Sequence, residues 1–385
     1  MRVLVTGGAG FIGSHIVEHF QGRAEVVVLD NFRSGHRRNL AGLEHRLIEG
    51  SILERAKLDE ALRGVDQVFH LAAMISVPES MLHPRDCVEL NATGTLHVLE
   101  AAAAAKVGKV VLASSAAIYG DNPTVPKVET MTPEPKSPYA VTKLDGEYYL
   151  ELFRRERGLA TASLRFFNVF GPRQDPKSPY AAAVPIFIEK AVRGEPLGIF
   201  GDGAQTRDFI YVKDIVGALA FAAANPAVTG TYNVGYGRKM TVKELAQEVI
   251  RLTGSTSAIE HKPERLGDDY RHHRLFTFQD STHRHTRRPA RTRKSKKAKE
   301  RRLKIRPPHK RTLALKTLQY AVRHQRIDRL PHRADRHLMR LRDLPFARNR
   351  LLWFPAARGN LRAQRFPHAM IARQTVIGFG GQGFG

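Results

Sequence analysis

Short apolar runs alternate, along the first part of the chain, with longer stretches whose apolar positions recur at helical spacing. The runs fall at 2–6, 26–30, 67–71, 109–114 and 161–167, and the helical stretches at 11–21, 53–63, 85–106 and 138–157. Strands that alternate with helices pair in parallel, and the helices cover both faces of the sheet. The pattern therefore predicts an α/β fold with a doubly wound parallel sheet over residues 1–167. From about residue 168 glycines and prolines thicken (Gly171-Pro172, Pro176, Pro179, Pro185, Pro196, Gly201-Asp202-Gly203) and the elements shorten. A smaller α/β lobe, some of its elements interleaved with the first domain, is expected over 168–269.

Charge changes the picture of what remains. The 385-residue chain carries a formal +25, an excess that ordinarily points to nucleic acid or an anionic membrane. Residues 1–269, however, hold 31 Lys and Arg against 32 Asp and Glu, a net −1, whereas residues 270–385 hold 31 against 5, a net +26. The imbalance belongs entirely to an Arg/His/Pro-rich tail with no sustained apolar period, for which disorder is the expectation. Cys87 is the one cysteine, which rules out an intrachain disulfide and a cysteine-based zinc site and suits a reducing cytoplasm. Met1 leads directly into the first apolar run, no run is long enough to span a bilayer, and neither a leader nor a membrane partner is expected. His272-His273 and His283-x-His285 stand isolated in basic sequence, so no metal site is expected.

Candidate chemistry begins right after the first strand, in Thr6-Gly7-Gly8-Ala9-Gly10-Phe11-Ile12-Gly13-Ser14-His15. Gly7, Gly10 and Gly13 allow a tight turn, close approach to a pyrophosphate, and packing of a helix whose N-terminus faces the negative charge. The second apolar run ends in Asp30, placed to meet the ribose hydroxyls of an adenosine and to repel a ribose phosphate. This Rossmann-type arrangement favours NAD over NADP; Arg33, three residues on, is the one complication, a cation that could hold such a phosphate. Further on, Tyr139 and Lys143 stand four residues apart on a predicted helix, with Ser115 ahead of them in Ser114-Ser115-Ala116-Ala117-Ile118-Tyr119-Gly120. Positions i and i+4 share a helix face, so an ammonium beside the phenol is expected to lower the tyrosine pKa toward neutrality and make it a base. Ser115 follows a strand and is expected to point into the crevice where such sheets bind ligands.

Taken together these motifs resemble the extended short-chain dehydrogenase/reductase family, specifically its nucleotide-sugar epimerases that act at C4 of UDP-glucose and UDP-N-acetylglucosamine. The matching segments also include Leu29-Asp30-Asn31, His70-Leu71-Ala72-Ala73, Asn91-Ala92-Thr93-Gly94-Thr95, Ser137-Pro138-Tyr139-Ala140-Val141-Thr142-Lys143, Leu164 to Gln174, and Gly201 to Phe209. The resemblance implies an NAD site formed by Gly7, Gly10, Phe11, Ile12, Gly13, Asp30, Asn31, Ser51, Ile52, Leu71, Ala72, Ala73, Asn91, Tyr139, Lys143 and Phe166. Relatives often carry an aspartate at Ser51, where it accepts from the adenine amino group. The resemblance also implies that Tyr139 takes the proton of the sugar 4-hydroxyl, that Lys143 holds the nicotinamide ribose, and that Ser115 hydrogen-bonds the reacting oxygen. Asn168, Arg207 and Arg265 would bind the diphosphate of a UDP-sugar, and Phe200 would lie against the uracil. Sister dehydratases and decarboxylases carry acidic side chains just after the serine or threonine; Ala116 and Ala117 cannot move protons, which leaves reversible oxidation and reduction. A homodimer paired through the helices at 85–106 and 138–157 is implied as well. The rival readings are another nucleotide-sugar oxidoreductase or epimerase, such as a 4-epimerase of UDP-glucuronate, and a catalytically silent nucleotide-binding protein whose basic tail binds nucleic acid.

The resemblance stops inside Arg265-Leu266-Gly267-Asp268, beyond which the chain reads as Arg/His/Pro-rich text such as Arg287-Arg288-Pro289-Ala290-Arg291. Two origins fit this break: out-of-frame translation from near residue 268, which the position of the break within a motif favours, or an appendage that binds nucleic acid through phosphate contacts.

Overall fold

The computed structural model describes residues 1–176, 182–263 and the pair 370–371. In chain order the strands and helices are β1 (Arg2–Thr6), α1 (Phe11–His19), β2 (Glu25–Asp30), β3 (Arg46–Glu49), α2 (Arg55–Ala61), β4 (Gln67–His70), α3 (Val77–Leu82), α4 (Pro84–Val88), α5 (Gly94–Ala104), β5 (Lys109–Ser115) and α6 (Pro138–Glu156). There follow β6 (Thr161–Phe166), β7 (Asn168–Phe170), α7 (Ala183–Arg193), β8 (Leu197–Phe200), β9 (Thr206–Tyr211), α8 (Val212–Ala224), β10 (Gly230–Gly235), β11 (Lys239–Thr241), α9 (Val242–Thr253), β12 (Ile259–Lys262) and β13 (Met370–Ile371).

The main sheet has the order β13-β10-β6-β5-β4-β1-β2-β3. Every pairing from β10 to β3 is parallel. The alternation along each strand decides which helix it meets. Val3, Val5, Val26, Val28, Phe69 and Val111 point to one face, under α1 and α8. Leu4, Val27, Leu29, Val68, Val110 and Leu112 point to the other, under α2, α5 and α6. Burial on both faces is why these strands read as unbroken apolar runs. A third cluster joins α7, α9 and β8 to Phe170 and Tyr211 and forms the core of the smaller lobe. The β11-β9-β7 and β12-β8 sheets lie in this later part of the chain.

Several expectations are corrected. The helix predicted over 85–106 is α4, then a π-helical turn at Glu89–Thr93, then α5. The widened turn carries Asn91, whose amide is drawn to the Met74 backbone. Two elements had no prediction: α3, started by Ser76 accepting from the Glu79 amide with Pro78 in its first turn, and the edge strand β3. In β3 only Ile48 is buried, so its charged ends conceal the strand pattern. The doubly wound parallel sheet is as expected, with Met370–Ile371 added antiparallel beside β10. The expectation of a disordered tail otherwise falls outside the described residues. No helix among the described residues is long and apolar enough to cross a membrane.

Candidate functional site

The predicted cofactor residues gather at the carboxyl ends of the parallel strands. At the end of β1, Gly7 turns with φ +72°, and its N–H donates to Leu29 O at 2.8 Å. A Cβ on Gly7 would stand 2.8 Å from the Ala72 amide nitrogen, and one on Gly13 would meet Gly8 Cα at 2.8 Å and Gly7 O closer still. The glycines thus let α1 begin against the turn, with its N-terminal N–H groups facing the crevice, as a pyrophosphate requires. Phe11 and Ile12 open α1 and pack toward the smaller lobe. At the end of β2 the Asp30 carboxylate accepts from Ala9 N–H at 2.8 Å and Phe32 N–H at 2.7 Å. Burial pushes its pKa up and these two bonds pull it back. Arg33 donates to Glu79 at 2.7 Å, so the cation that could have favoured a ribose phosphate is engaged by a carboxylate of α3. Asn31 folds back to accept from Arg33 N–H at 3.1 Å.

Leu71, Ala72 and Ala73 leave β4 beside this turn, and the Thr6 hydroxyl oxygen accepts from the amides of Leu71 and Ala72 at 3.2 and 3.3 Å. Ser51 Oγ accepts from Leu53 N–H at 3.2 Å, and Ile52 is buried. Asn91, expected among the cofactor residues, has its side chain committed to Met74 N and O and to Thr142 Oγ1 at 2.7, 3.1 and 3.1 Å. It braces the loop after β4 against α6. Phe166 ends β6 directly opposite Ser115 at the end of β5.

The helix that carries the candidate base is set by its start. Ser137 Oγ accepts from Ala140 N–H, and Pro138 occupies the first turn, where its missing N–H costs nothing. Tyr139 therefore stands in the first turn of α6, and Lys143 one turn further along it. The expectation for this pair is corrected. Lys143 Nζ lies 5.8 Å from the Tyr139 ring centre and donates to Ala113 O at 2.9 Å. Burial, rather than the ammonium, governs the phenol and raises its pKa, while Ser115 pulls it down. Burial likewise lowers Lys143 to about 8. Desolvation penalises the charged form of each group, and at this separation it outweighs their mutual help.

On the other side, Asn168 in β7 donates to Asp208 O at 3.2 Å. Arg207 in β9 donates to Thr206 O at 2.9 Å, and burial lowers its pKa to about 10. The Asp208 carboxylate accepts from Tyr236 and Gly237 N–H at 3.0 and 2.8 Å. Phe200 ends β8, half-buried, with Gln205 donating to its carbonyl at 2.9 Å. Arg265 lies outside the described residues. Among the described residues no cluster of His, Cys, Asp or Glu could hold a metal.

The model of the NAD dependent epimerase/dehydratase family matches residues 3–235. The chain belongs to this family. It is 39% identical over 277 residues to the UDP-glucose 4-epimerase of Mycolicibacterium smegmatis, covering 70% of this chain and 88% of that one. It is also 38% identical over 273 residues to the UDP-N-acetyl-alpha-D-glucosaminuronate decarboxylase of Bacillus cytotoxicus, covering 68% and 83%. Among solved structures, the UDP-glucose 4-epimerase of Thermus thermophilus in complex with NAD superposes with a TM-score of 0.64 at 40% identity, covering 70% of this chain and 88% of that one.

In this member of the epimerase/dehydratase family, Thr6, His70 and Thr95, to which the resemblance assigns no role, form a buried hydrogen-bonded chain beside the glycine turn. Thr95 Oγ1 must donate to Asn91 O at 2.5 Å, so His70 Nε2, at 2.9 Å, must donate to Thr95. His70 Nδ1 must then accept from Thr6 Oγ1 at 2.8 Å. The imidazole is neutral, as burial alone would make it, with its pKa lowered to about 3. This one-way chain ties the glycine turn to α5. All three residues stand in segments that carry the resemblance, but their contact across β1, β4 and α5 has no signal in local spacing.

Proposed function

We propose that this chain interconverts the C4 epimers of a UDP-sugar, UDP-glucose/UDP-galactose or the N-acetylhexosamine equivalents, through a transient 4-keto sugar. The observation that carries the reading is the meeting of Ser115, Tyr139 and Lys143 at the end of β5, beside a glycine turn, with only Ala116 and Ala117 following the serine. The turn is as tight as a pyrophosphate-binding turn needs to be, since a Cβ at Gly7 would collide with the Ala72 backbone and one at Gly13 with the backbone of Gly7 and Gly8. Gly10, Phe11, Ile12, Asp30, Asn31, Ser51, Ile52, Leu71, Ala72, Ala73 and Phe166 frame the same crevice, and Asn91 steadies its wall. When bound, NAD supplies the oxidising and reducing equivalents of the reaction. Tyr139 takes the proton from the sugar 4-hydroxyl and returns it after the sugar has turned, and Ser115 holds the reacting oxygen. Lys143, positioned by Ala113 O, orients the nicotinamide ribose. Asn168 and Arg207, with Arg265, bind the diphosphate; a forked guanidinium suits two phosphoryl oxygens. Phe200 offers a face to the uracil.

A decarboxylase relative supports a second reading, action on a UDP-uronic acid, but decarboxylation after oxidation calls for further proton-moving groups, and Ala116 and Ala117 supply none. Incubation with UDP-glucose, UDP-N-acetylglucosamine and UDP-glucuronate, followed by proton NMR, separates the readings. C4 interconversion without stoichiometric NADH is expected; carbon dioxide release or stoichiometric reduction would refute the proposal. The same reading includes a cytoplasmic homodimer. Its support is an apolar surface on the adjoining helices α4 and α6, where Val88, Val141, Tyr148 and Leu152 are 47, 42, 57 and 53% exposed. Light scattering should give twice the chain mass.

A further inference from the structure

Behind Ser115 lies a buried ion pair for which the reaction has no direct use. Glu147 of α6 is 6% exposed and Arg165 of β6 is 4% exposed. Arg165 Nη2 donates to Glu147 Oε2 at 2.7 Å and its Nε to Glu147 Oε1 at 2.9 Å, a bidentate fork. Glu147 Oε1 also accepts from Ser114 Oγ at 2.5 Å. The remaining arm of the guanidinium, Nη1, donates to Tyr119 OH at 2.8 Å, and that hydroxyl donates to Asn233 Oδ1 at 2.7 Å. The network therefore grips the residue before Ser115, through Glu147, and the end of the 3₁₀ turn after it, Ala116–Tyr119, through Arg165.

Tyr139, Lys143 and Glu147 are i, i+4 and i+8 on α6 and share one face. All three meet the C-terminal end of β5: Tyr139 faces Ser115, Lys143 reaches Ala113 O, and Glu147 accepts from Ser114 Oγ. An apolar helix face can slide along a strand at little cost, whereas a bidentate charged fork has one geometry. A buried ion pair is a weak contributor to stability; its attested use is in fixing register. We infer that Glu147 is a positioning residue, held by Arg165 and Ser114, that sets the axial register of α6 on β5 and so brings the Tyr139 hydroxyl to Ser115.

This inference rests on the roles proposed above for Tyr139 and Ser115, and the test keeps the two apart. In the full chain loaded with NAD, Glu147 and Arg165 are replaced together, Glu147→Leu with Arg165→Met, so that no charge is stranded. The thermal midpoint should hold or rise. Bound NAD should be retained, KM for the UDP-sugar should stay within about twofold, and kcat should fall roughly tenfold to a hundredfold, the scale of an ångström-sized misplacement. A lower midpoint with kcat per folded, NAD-loaded site unchanged would mean a structural role only and overturn the inference. Should the double variant not fold, Ser114→Ala, which keeps the ion pair, decides; a kcat equal to wild type rejects the idea. If the wild-type chain epimerises none of the sugars, the proposed function fails while the register can still be read. The ultraviolet titration of Tyr139, taken as the difference from a Tyr139→Phe counterpart, should move upward in the double variant as Ser115 withdraws. An unmoved curve overturns the inference.

Discussion

Gly13→Ala tests whether the start of α1 is the cofactor cradle. The new Cβ would stand 2.8 Å from Gly8 Cα, 2.9 Å from Gly7 C and closer still to Gly7 O, where ordinary contact begins at 3.4 Å, so the turn or the helix must yield by more than the 0.6 Å that Gly8 Cα alone demands. All three opposing atoms are backbone, and no rotamer change relieves them. Overpacking of this kind costs about 1–3 kcal/mol, and if the strain is met by displacing the turn it appears as about a 5- to 150-fold loss in NAD affinity. Calorimetric titration of the cofactor-stripped protein measures it. Two further alanines calibrate the result. Gly10→Ala meets only Gly7 O at 3.2 Å and should weaken NAD far less. Gly217→Ala, inside α8 with nothing within 4 Å, should leave NAD affinity alone and stabilise the protein by about 0.5–1 kcal/mol. If Gly13→Ala bound NAD as tightly as Gly217→Ala, the cradle would have to lie elsewhere.

Tyr139→Phe should abolish epimerisation while leaving NAD bound; normal turnover would reject Tyr139 as the base. Lys143 has a folded pKa of about 8 against an ordinary 10.5, so its charged form is disfavoured by folding, and its contribution to stability should improve as pH rises from about 8 to 10.5. The full gain is on the order of 3 kcal/mol at 1.36 kcal/mol per unit; urea unfolding of Lys143→Met and wild type at pH 7 and 10 should converge by that scale, and parallel curves would contradict it. The double variant Asp30→Ser with Glu79→Gln removes the carboxylate proposed to meet the adenosine ribose and releases Arg33 from its 2.7 Å partner. It should bind NADP at least about tenfold more tightly than wild type, in keeping with one charge-assisted bond, and an unchanged NADP affinity would show that Arg33 cannot reach.

The legible part of the site was the part encoded in local spacing. The apolar runs give the parallel strands because burial on both faces removes any polar alternation, and Gly7 and Gly13 stand where a side chain would collide with backbone. Tyr139 and Lys143 share a helix face simply through the helical repeat. The edge strand β3 and the π turn at Glu89–Thr93 were not legible, because one is charged at its ends and the other is widened by a side chain reaching the distant Met74.

By itself, then, the sequence determined the strand and helix order, the glycine turn, and the presence of a phenol, an ammonium and a hydroxyl at family spacing along the chain. Tertiary structure decided their electrostatic state. Burial depends on every element packed around a group, so only the folded chain raises Tyr139, lowers Lys143 to about 8 and sends its ammonium to Ala113 O. Tertiary structure also brought Glu147, Arg165 and Ser114 together from α6, β6 and β5. Nothing in their spacing predicts a buried charge pair, because the partner that makes burial tolerable comes from another element of the fold.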